Sequence, residues 1–340
     1  MEIRKTQLTD VDRLEEIYAG ARRFMAEHGN PNQWGPTHWP PRSVIEEDIQ
    51  NGHSYVCTDK DRIVGTFCLV YGAHADPQYD RITEGSWPSR LAMDPDKAEQ
   101  YGVIHRLAGD GSVKGIGAFC LEWAFARCGH LRMDTHGDNT VMQNLMKKSG
   151  FVQCGIVHVI EDDIPRLAFE RFDPDPQLKI AFYQSPFGWL QMTSDGYVLT
   201  GLSWSDKPTA PSQSCPVFDE TKTWLDRYFQ KEDPGPRPFY YAQGTPFQRA
   251  VWSLVAQVPY GQTATYGMLA EQLKKATGRR QSAQAVGQAV RKNPISILIP
   301  CHRIIGQNGR LVGYTAGNGS AADGLDIKAA LLNLEQKTTC

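Results

Sequence analysis

The segment 300–303, Pro-Cys-His-Arg, places a thiol next to an imidazole and is the clearest chemical signal in the sequence. A cysteine of ordinary pKa, about 8.5, is only a few per cent thiolate at neutral pH, so a nucleophilic cysteine needs a base or a positive field beside it. His302 and Arg303 are candidates for both roles toward Cys301. The apolar residues 295–299 predict a buried strand that would position them. A structural cysteine beside an unrelated histidine is the alternative interpretation.

Length and charge indicate two domains of different electrostatic character. A chain of 340 residues exceeds the usual limit of about 250–300 residues for one hydrophobic core. Residues 1–177 carry 19 basic and 27 acidic side chains, a net charge of −8, whereas residues 178–340 carry 17 and 11, a net charge of +6. Nine basic side chains and one acid, Glu271, lie between Arg249 and Arg310. This region suits a phosphate-rich partner, and a solvated basic face is the alternative.

Cysteine spacing and hydropathy indicate a reduced, soluble, cytoplasmic protein. The eight cysteines are scattered, without a Cys-x-x-Cys pair or a grouping with histidine at zinc spacing, so we expect neither disulfides nor a metal site. The first ten residues contain no apolar signal core, and no uncharged apolar run approaches 18 residues. We therefore expect no membrane partner, and we expect a monomer.

Apolar periodicity and prolines predict an α/β, multidomain fold. Strand-like and helix-like patterns alternate in the first half, as is typical of an α/β domain. Prolines then interrupt the chain twice, and each removes a backbone donor and disfavours helix at the preceding residue. The predicted segments are a first domain at 1–172, a linker at 173–177, strands closed by a helix at 178–232, a tether at 233–243 and a mainly helical part at 244–337.

Four segments of the second half carry a specific resemblance to a known family. They are GTPFQRAVW (244–252), VPYGQTATYGMLA (258–270), AQAVGQAVRKNPISILIPCHRIIG (283–306) and LLNLE (331–335). In order and spacing, residues 178–337 resemble the methylated-DNA–protein-cysteine methyltransferase family, also called O6-alkylguanine-DNA alkyltransferases. The resemblance implies an RNase H-like subdomain followed by a mainly helical, winged-helix-like subdomain with a helix-turn-helix. It also implies irreversible, single-turnover repair of O6-alkylguanine, with O4-alkylthymine as a further candidate base, and no cofactor.

The resemblance assigns roles to five residues. Cys301 would be the nucleophile, His302 the base that takes its proton through a water, and Glu335 the carboxylate that orients the imidazole. Asn293 would tie the DNA-binding helix to the active-site segment, with an Asx turn before Pro as the alternative. Tyr266 would donate its phenolic hydrogen to the target base, with a structural tyrosine as the alternative.

The implied partner is double-stranded DNA that contains the alkylated base. A helix-turn-helix would consist of residues 266–275 and a second helix capped by Ser282, whose small residues allow close approach to the minor groove while the base rotates out of the duplex. Many family members have an arginine at the position of Gln284, and the loop before Lys328 is longer than usual, with an apparent excess at 318–324. The residues expected to bind DNA or the base are Ser282, Gln284, Ala285, Gly287, Arg303, Ile304 and Tyr314.

In the first half, a glycine-containing turn lies between a predicted strand and a predicted helix. Successive backbone N–H groups at such a helix start bind pyrophosphate. With IHRLAG (104–109), LRMDTHGDN (131–139) and Ser-Gly-Phe at 149–151, this turn resembles the GNAT N-acetyltransferases over most of residues 1–172. The resemblance implies a GNAT-like mixed sheet with helices, acetyl-CoA as cofactor and an amine acceptor of unknown identity. The residues expected to bind the cofactor are Ser112, Val113, Lys114, Gly115, Ile116, Gly117 and Asn139.

Two departures from the GNAT pattern bear on its chemistry. Ser112 stands where the phosphate motif often has Gln or Arg, and Met146 stands where many members have a tyrosine general acid. Proton transfer would then use His105, His136 or a water, although a structural role is the alternative for each histidine. Trp34 and Trp39 are candidates for lining an acceptor pocket or for aromatic core. A domain that binds CoA without transferring acetyl remains an alternative.

The combined interpretation is a fusion of an acetyltransferase-like domain with a DNA alkyltransferase. The alternative from another class is a DNA-binding alkylation sensor, in which methylation of Cys301 is the signal and the first domain is degenerate. A mass change on Cys301 after exposure to alkylated DNA distinguishes repair from DNA binding alone.

Overall fold

The structure, a computed structural model, has two compact units, Met1–Pro176 and Gln177–Cys340. It describes residues 1–93, 95–158, 164–173, 177–278, 281–314 and 321–336. The linker residues 174–176 and residues 318–320 of the predicted loop excess at 318–324 therefore lie outside the described residues. The predicted α/β, multidomain class is confirmed, since the first unit has a mixed sheet with helices and the second combines a small sheet with helices.

The first unit contains a seven-stranded sheet in the order β1-β2-β3-β4-β5-β7-β6. Its strands are β1 (Glu2–Lys5), β2 (Ser54–Asp59), β3 (Arg62–Ala73), β4 (Gln100–Gly109), β5 (His130–His136), β6 (Val152–His158) and β7 (Pro165–Phe172). Neighbouring strands are antiparallel except β4 and β5, which are parallel. The helices are α1 (Val11–Glu27), α2 (Arg42–Gln50), α3 (Ser89–Ala92), α4 (Pro95–Ala98), α5 (Ile116–Cys128) and α6 (Thr140–Lys148).

Helices α1 and α5 cover opposite faces of this sheet. Val56 on β2 packs in a core cluster with Leu14 of α1, whereas the adjacent Cys57 interacts with Cys120 of α5. Consecutive strand residues point to opposite faces, so the two helices enclose the sheet between them. This burial on both faces explains why β2 and β3 read as nearly continuous apolar segments.

The two parallel strands separate soon after they pair. Among the described residues, β4 and β5 pair only at Gly102 with Leu131 and at Val103 with Arg132. On its other edge β4 has a register shift opposite β3, and Arg106 within this irregularity has a positive φ of 54°. The carboxyl ends of β4 and β5 therefore diverge, which leaves an opening in the middle of the sheet.

The second unit begins with a three-stranded antiparallel sheet and continues as helices. The strands are β8 (Lys179–Ser185), β9 (Gly188–Ser194) and β10 (Leu199–Ser205), in the order β10-β9-β8, and a parallel pair of two-residue strands, β11 (Ala264–Thr265) and β12 (Ile304–Ile305), lies farther along the chain. The helices are α7 (Pro216–Phe229), α8 (Pro246–Ala256), α9 (Tyr266–Thr277), α10 (Ala283–Arg291) and α11 (Ala321–Glu335). One hydrophobic cluster joins the sheet to these helices, so both parts of the unit share a core.

The strand predicted at 295–299 is wrong, although the segment is buried as expected. It makes one bridge to β10, between Ile295 and Leu202, and then turns, because Ile297 has a positive φ of 68° and Ile299 N donates to the Ile295 carbonyl at 3.0 Å. The apolar run reflects passage through the core rather than strand pairing. The bridge to β10 positions the residues that follow.

Within the part of the chain that the structure describes, no helix has the length and apolar character needed to cross a membrane.

Candidate active site

Cys301 is held at the start of a single 3₁₀ turn, Cys301–Arg303. Its side chain is buried, with 8% of the residue exposed. Asn293 Nδ2 lies 3.2 Å from the Cys301 sulfur and also donates to the Ile299 carbonyl at 2.8 Å, while Asn293 Oδ1 accepts from Ile295 N at 3.0 Å. Asn293 follows the end of α10, so it connects that helix to the thiol. Asn293 therefore fills both expected roles: its oxygen forms the Asx turn, and its amide nitrogen contacts the active-site segment.

His302 and Glu335 form a buried pair behind the thiol. His302 Nε2 lies 2.7 Å from Glu335 Oε1, and both side chains are almost fully buried. A carboxylate can only accept, so this contact assigns the ring hydrogen to Nε2. His302 Nδ1 is buried and has no hydrogen-bond partner among the described residues. The imidazole thus has one nitrogen with its lone pair available to accept a proton.

Arg303, which was expected to bind DNA or the base, is buried, and its donors face the protein interior. Its Nε donates to Glu335 Oε2 at 2.8 Å, one terminal nitrogen donates to Glu335 Oε1 at 2.9 Å, and the other donates to the Val258 carbonyl at 2.7 Å. Only 4% of Arg303 is exposed. The residue is therefore the bidentate partner of Glu335. Ile304 is fully buried in the core. Contact of these two residues with DNA or the base stays a prediction.

Tyr228, which the sequence analysis missed, completes the surroundings of Glu335. Its hydroxyl donates to Glu335 Oε1 at 2.6 Å and lies 3.4 Å from His302 Nε2. Gly261 N donates to Glu335 Oε2 at 3.1 Å. Tyr228 lies on α7, 107 residues before Glu335, and no local motif connects them. The only sequence signal for Tyr228 was its position on the apolar face of the amphipathic helix α7.

These contacts set the charges of Glu335 and His302. Burial acts to raise the pKa of Glu335, but donation from His302 and Arg303 outweighs it and holds that pKa at about 2. Burial lowers the pKa of His302, and the positive charges of Arg303 and Lys328 add to this effect, while Glu335 opposes it. The pair at rest is therefore a carboxylate beside a neutral imidazole, which is the form that a general base requires.

The thiol itself is protonated at rest. Burial raises the pKa of Cys301, although the Asn293 hydrogen bond and the nearby charge of Lys328 act in the opposite direction. Lys328 Nζ is buried and donates to the carbonyls of Ile304 and Val312 at 2.5 and 2.9 Å. Burial lowers the pKa of Lys328 to about 8. Formation of a thiolate therefore depends on transfer of the proton to a base.

Two tyrosines, Tyr266 and Tyr314, lie close enough to Cys301 for a negative charge on its sulfur to raise their pKa values. Tyr266 donates to the Val312 carbonyl at 3.2 Å, and burial raises its pKa to about 12, so its hydroxyl keeps its hydrogen at neutral pH. Tyr314 is buried and accepts from Trp204 Nε1 at 2.9 Å, which ties β10 to the segment beyond Cys301. Trp204 was not anticipated from the sequence.

The first turn of α10 presents small and polar side chains. Ser282 caps this helix, since its hydroxyl accepts from Ala285 N at 3.0 Å. Gln284 is exposed, and Ala285 and Gly287 are half-buried. A Cβ atom at Gly287 would lie 3.7 Å from the Tyr266 ring, an ordinary contact, so packing alone does not demand glycine there. DNA contact by these residues stays a prediction.

In the first unit, a cavity of about 1090 Å³ occupies the opening between β4 and β5. Of the predicted cofactor residues, Val113, Gly115, Ile116, Gly117 and Asn139 line it. Trp34, Trp39 and His105 line it as well.

The remaining predicted residues of the first unit have other environments. Ser112 bonds to Asp110 Oδ1 at 2.5 Å, and Lys114 is exposed. His136 lies 3.5 Å from Asp138 Oδ2, and Met146 is fully buried.

Comparison with known proteins places the second unit in a family. The family models "6-O-methylguanine DNA methyltransferase, ribonuclease-like domain" and "6-O-methylguanine DNA methyltransferase, DNA binding domain" match residues 178–235 and 246–337. The methylated-DNA–protein-cysteine methyltransferase of Methanosarcina acetivorans is 37% identical over 161 residues, which cover 46% of this chain and 96% of the relative. The chain belongs to the methylated-DNA–protein-cysteine methyltransferase family. The predicted resemblance of residues 178–337 to this family is confirmed.

Solved structures similar to each half were also found. The O6-methylguanine methyltransferase of Mycobacterium tuberculosis is 33% identical, with a TM-score of 0.41, and covers 48% of this chain and 95% of that protein. A GNAT-family acetyltransferase from Streptococcus agalactiae is 26% identical, with a TM-score of 0.45, and covers 51% of this chain and 95% of that protein.

We predict that Tyr228→Phe destabilises the second unit by about 1.5–3 kcal/mol, because a buried hydrogen bond to a charged group is lost. Tyr183→Phe is the matched control, since it removes a tyrosine–carboxylate bond of 2.8 Å to Asp226 near the surface and should cost under about 0.5 kcal/mol. Urea unfolding of the full chain measures both changes, and hydrogen exchange of α11 peptides locates the effect. Equal losses in the two variants would contradict a special role for the Tyr228–Glu335 bond.

Proposed function

We propose that the second unit repairs double-stranded DNA by transferring an alkyl group from O6-alkylguanine to Cys301. One observation carries this proposal: a buried thiol is followed by a neutral imidazole that a carboxylate fixes through Nε2, with Nδ1 left to accept a proton. Membership of the family supports it, since its relatives are named for methyl transfer from DNA to a protein cysteine.

The residues divide the work of this displacement. The thiol proton of Cys301 passes through a water to His302 Nδ1, and Glu335 stabilises the imidazolium that forms. The sulfur then bonds to the alkyl carbon as the bond from that carbon to guanine O6 breaks. Tyr266, with its hydrogen retained, donates toward the departing guanine. The product is a stable thioether on Cys301, so each molecule acts once.

Burial of the thiol requires the base to leave the DNA stack. Cys301 is only 8% exposed, and a base inside a duplex cannot bring its O6 substituent to a sulfur at that depth. The exposed first turn of α10, with Gln284 beside small residues, is the surface that we assign to the duplex. Extrusion costs a few kcal/mol and less for a damaged pair, which gives some selectivity before chemistry.

We predict that Cys301→Ser abolishes alkyl transfer while DNA affinity is retained, because a hydroxyl keeps the shape of the site but is a far poorer nucleophile. The control is Cys215→Ser, which alters another buried thiol of the same unit. Intact mass after incubation with O6-methylguanine duplex should rise by one methylene in wild type and in the control. DNA binding by wild type without a mass change would favour the sensor alternative, and methyl found on Cys215 would refute the assignment of Cys301.

We also predict that Gln284→Arg tightens binding to undamaged duplex and steepens its salt dependence. One added phosphate contact should change the slope of log affinity against log salt by about 0.9. Gln230→Arg adds the same charge at an exposed position after α7 and should leave the slope nearly unchanged. Equal slopes for the two variants would show that Gln284 does not face DNA.

For the first unit we infer acetyl-CoA binding, from the meeting of the cavity with the start of α5. The first amides of α5 lack partners within the helix, and they lie beside the cavity at Ile116 and Gly117. Gly115 has a φ of 83° and Gly111 a φ of 77°, and a Cβ at either would meet no protein atom within 4 Å. The turn is therefore open toward a ligand, and it fits a pyrophosphate.

The chain's own residues define how such a ligand would be held. Amides at 115–117 would bind the pyrophosphate, and the unpaired edges of β4 and β5 would accommodate the arm beyond it. Asn139, fixed by its bonds to Met142 N at 3.1 Å and Gln33 Oε1 at 2.9 Å, would close the side next to α6. Bound acetyl-CoA supplies an activated acetyl thioester.

We predict that Gly115→Asp removes acetyl-CoA binding, because it places a carboxylate in an anion site. Gly29→Asp is the matched control: Gly29 also has a positive φ, 85°, and open space around its Cβ position. Calorimetric titration of acetyl-CoA into the full chain should show binding for wild type and Gly29→Asp only. No heat with wild type at millimolar ligand, or unchanged binding by Gly115→Asp, would contradict the pyrophosphate assignment.

A further inference from the structure

Three polar side chains from different elements converge on the cavity of the first unit. Asp76 follows β3, His105 lies on β4 and Asp134 lies on β5, and all three line the cavity. His105 precedes Gly109 by four residues, roughly 13 Å along a strand, and the Cβ position of Gly109 lies 3.4 Å from Ile116 at the start of α5. The polar group therefore lies along the same cavity as the pyrophosphate turn, toward the other end of β4.

Asp76 holds His105 in a defined state. Asp76 Oδ2 lies 3.3 Å from His105 Nε2, and Asp76 Oδ1 accepts from Gln78 N at 2.9 Å, so both carboxylate oxygens are fixed. The Asp76 side chain is 7% exposed, whereas that of His105 is 26% exposed. Burial acts to raise the pKa of Asp76, but the bonds from His105 and Gln78 N, together with nearby positive charge, outweigh it and lower that pKa. Because a carboxylate can only accept, the contact with Asp76 places the ring hydrogen on Nε2 and leaves the lone pair of His105 on Nδ1.

Asp134 and Thr135 give this region a second polar side. Tyr79 donates to Asp134 Oδ1 at 2.7 Å, and burial raises the pKa of Asp134, whereas the pKa of Asp76 is lowered. Thr135 lines the cavity and is 1% exposed, yet its hydroxyl has no hydrogen-bond partner among the described residues. A buried hydroxyl without a partner is costly, so its position in the cavity wall points to a polar group of a ligand.

We propose that this region is the acceptor site, that it takes a small primary amine with an apolar or aromatic body, and that His105, positioned by Asp76, accepts the proton of the amine. The proposal rests on the inferred binding of acetyl-CoA. Trp34 and Trp39 line the same cavity and supply aromatic faces for the body of the amine. Arg106 also lines this cavity, but it forms a bidentate ion pair with Asp48. Because Asp48 neutralises its charge, Arg106 does not favour an acidic acceptor.

The transfer step balances with these groups alone. The ammonium form of the acceptor first releases one proton to solvent. The amine nitrogen then bonds to the thioester carbonyl carbon, the bond from that carbon to sulfur breaks, and His105 takes the second proton from nitrogen. Return of that proton to the departing thiolate yields free CoA and an N-acetyl amine. His105 is catalytic in this step, and Asp76 is a positioning residue. Together they replace the tyrosine acid that Met146 precludes.

The test uses the full chain with acetyl-CoA and phenethylamine as the probe. His105→Gln should lower kcat at least about 100-fold, in line with the contribution of a general base, without changing the calorimetric affinity for acetyl-CoA or for phenethylamine. Asp76→Asn, whose amide oxygen can still cap Gln78 N, should lower kcat less and leave KM for acetyl-CoA unchanged. The double variant should be no slower than His105→Gln, because the two residues act as one unit.

A second His–Asp pair of the same unit provides the control. His74 Nδ1 lies 2.7 Å from Asp80 Oδ1 in an exposed position, so His74→Gln should have no effect on kcat. Full activity of His105→Gln, or acetyl-CoA binding by wild type without binding and acetylation of phenethylamine, would overturn the acceptor-site proposal and leave cofactor binding intact. Failure of wild type to bind acetyl-CoA would overturn both.

Discussion

The Glu335 carboxylate is the group on which the chemistry of the second unit depends. It accepts hydrogen bonds from Tyr228, from Gly261 and from the adjacent His302 and Arg303, which together represent three segments of the chain. An ionised carboxylate in the interior costs several kcal/mol of desolvation, and only a full set of donors recovers it. The same donors therefore hold the end of α11 in place and keep Glu335 ionised. Folding of this unit and the orientation of the His302 imidazole depend on the same hydrogen bonds.

Arg303 has a particular consequence within this arrangement. A carboxylate alone beside His302 would favour the imidazolium, which cannot accept a proton from Cys301. Burial lowers the pKa of His302 most, and the charge of the guanidinium, which forms two bonds with Glu335, adds to this effect, so the ring stays neutral while the carboxylate still fixes its orientation. In the proposed mechanism, His302 is therefore unprotonated at rest, and Glu335 stabilises the imidazolium that forms when the proton arrives.

Local signals in the sequence were sufficient for part of this site. The sequence predicted a helix cap at Ser282 and an Asx turn at Asn293, and the structure contains both. Each could be predicted because its hydrogen bond joins residues only two or three positions apart. Family resemblance supplied the pairing of His302 with Glu335. Tyr228 and the true partner of Arg303 could not be predicted, because their contacts close over long distances through the core. Burial of residues 295–299 could be predicted from their apolar side chains. The positive φ that turns this segment could not be predicted from the same pattern.

Burial is used in opposite ways by the two units. In the second unit it withdraws a thiol from solvent and raises its pKa, so the proposed reaction requires both a base beside the thiol and a target base that leaves the DNA stack. In the first unit the divergence of β4 and β5 leaves backbone groups and a cavity open, with Asp76 buried and Asp134 half-buried in its wall. Burial acts to raise the pKa of both carboxyl groups. For Asp134 this effect prevails over the bond from Tyr79, whereas for Asp76 the bonds from His105 and Gln78 N, together with nearby positive charge, outweigh it, so the two pKa values shift in opposite directions.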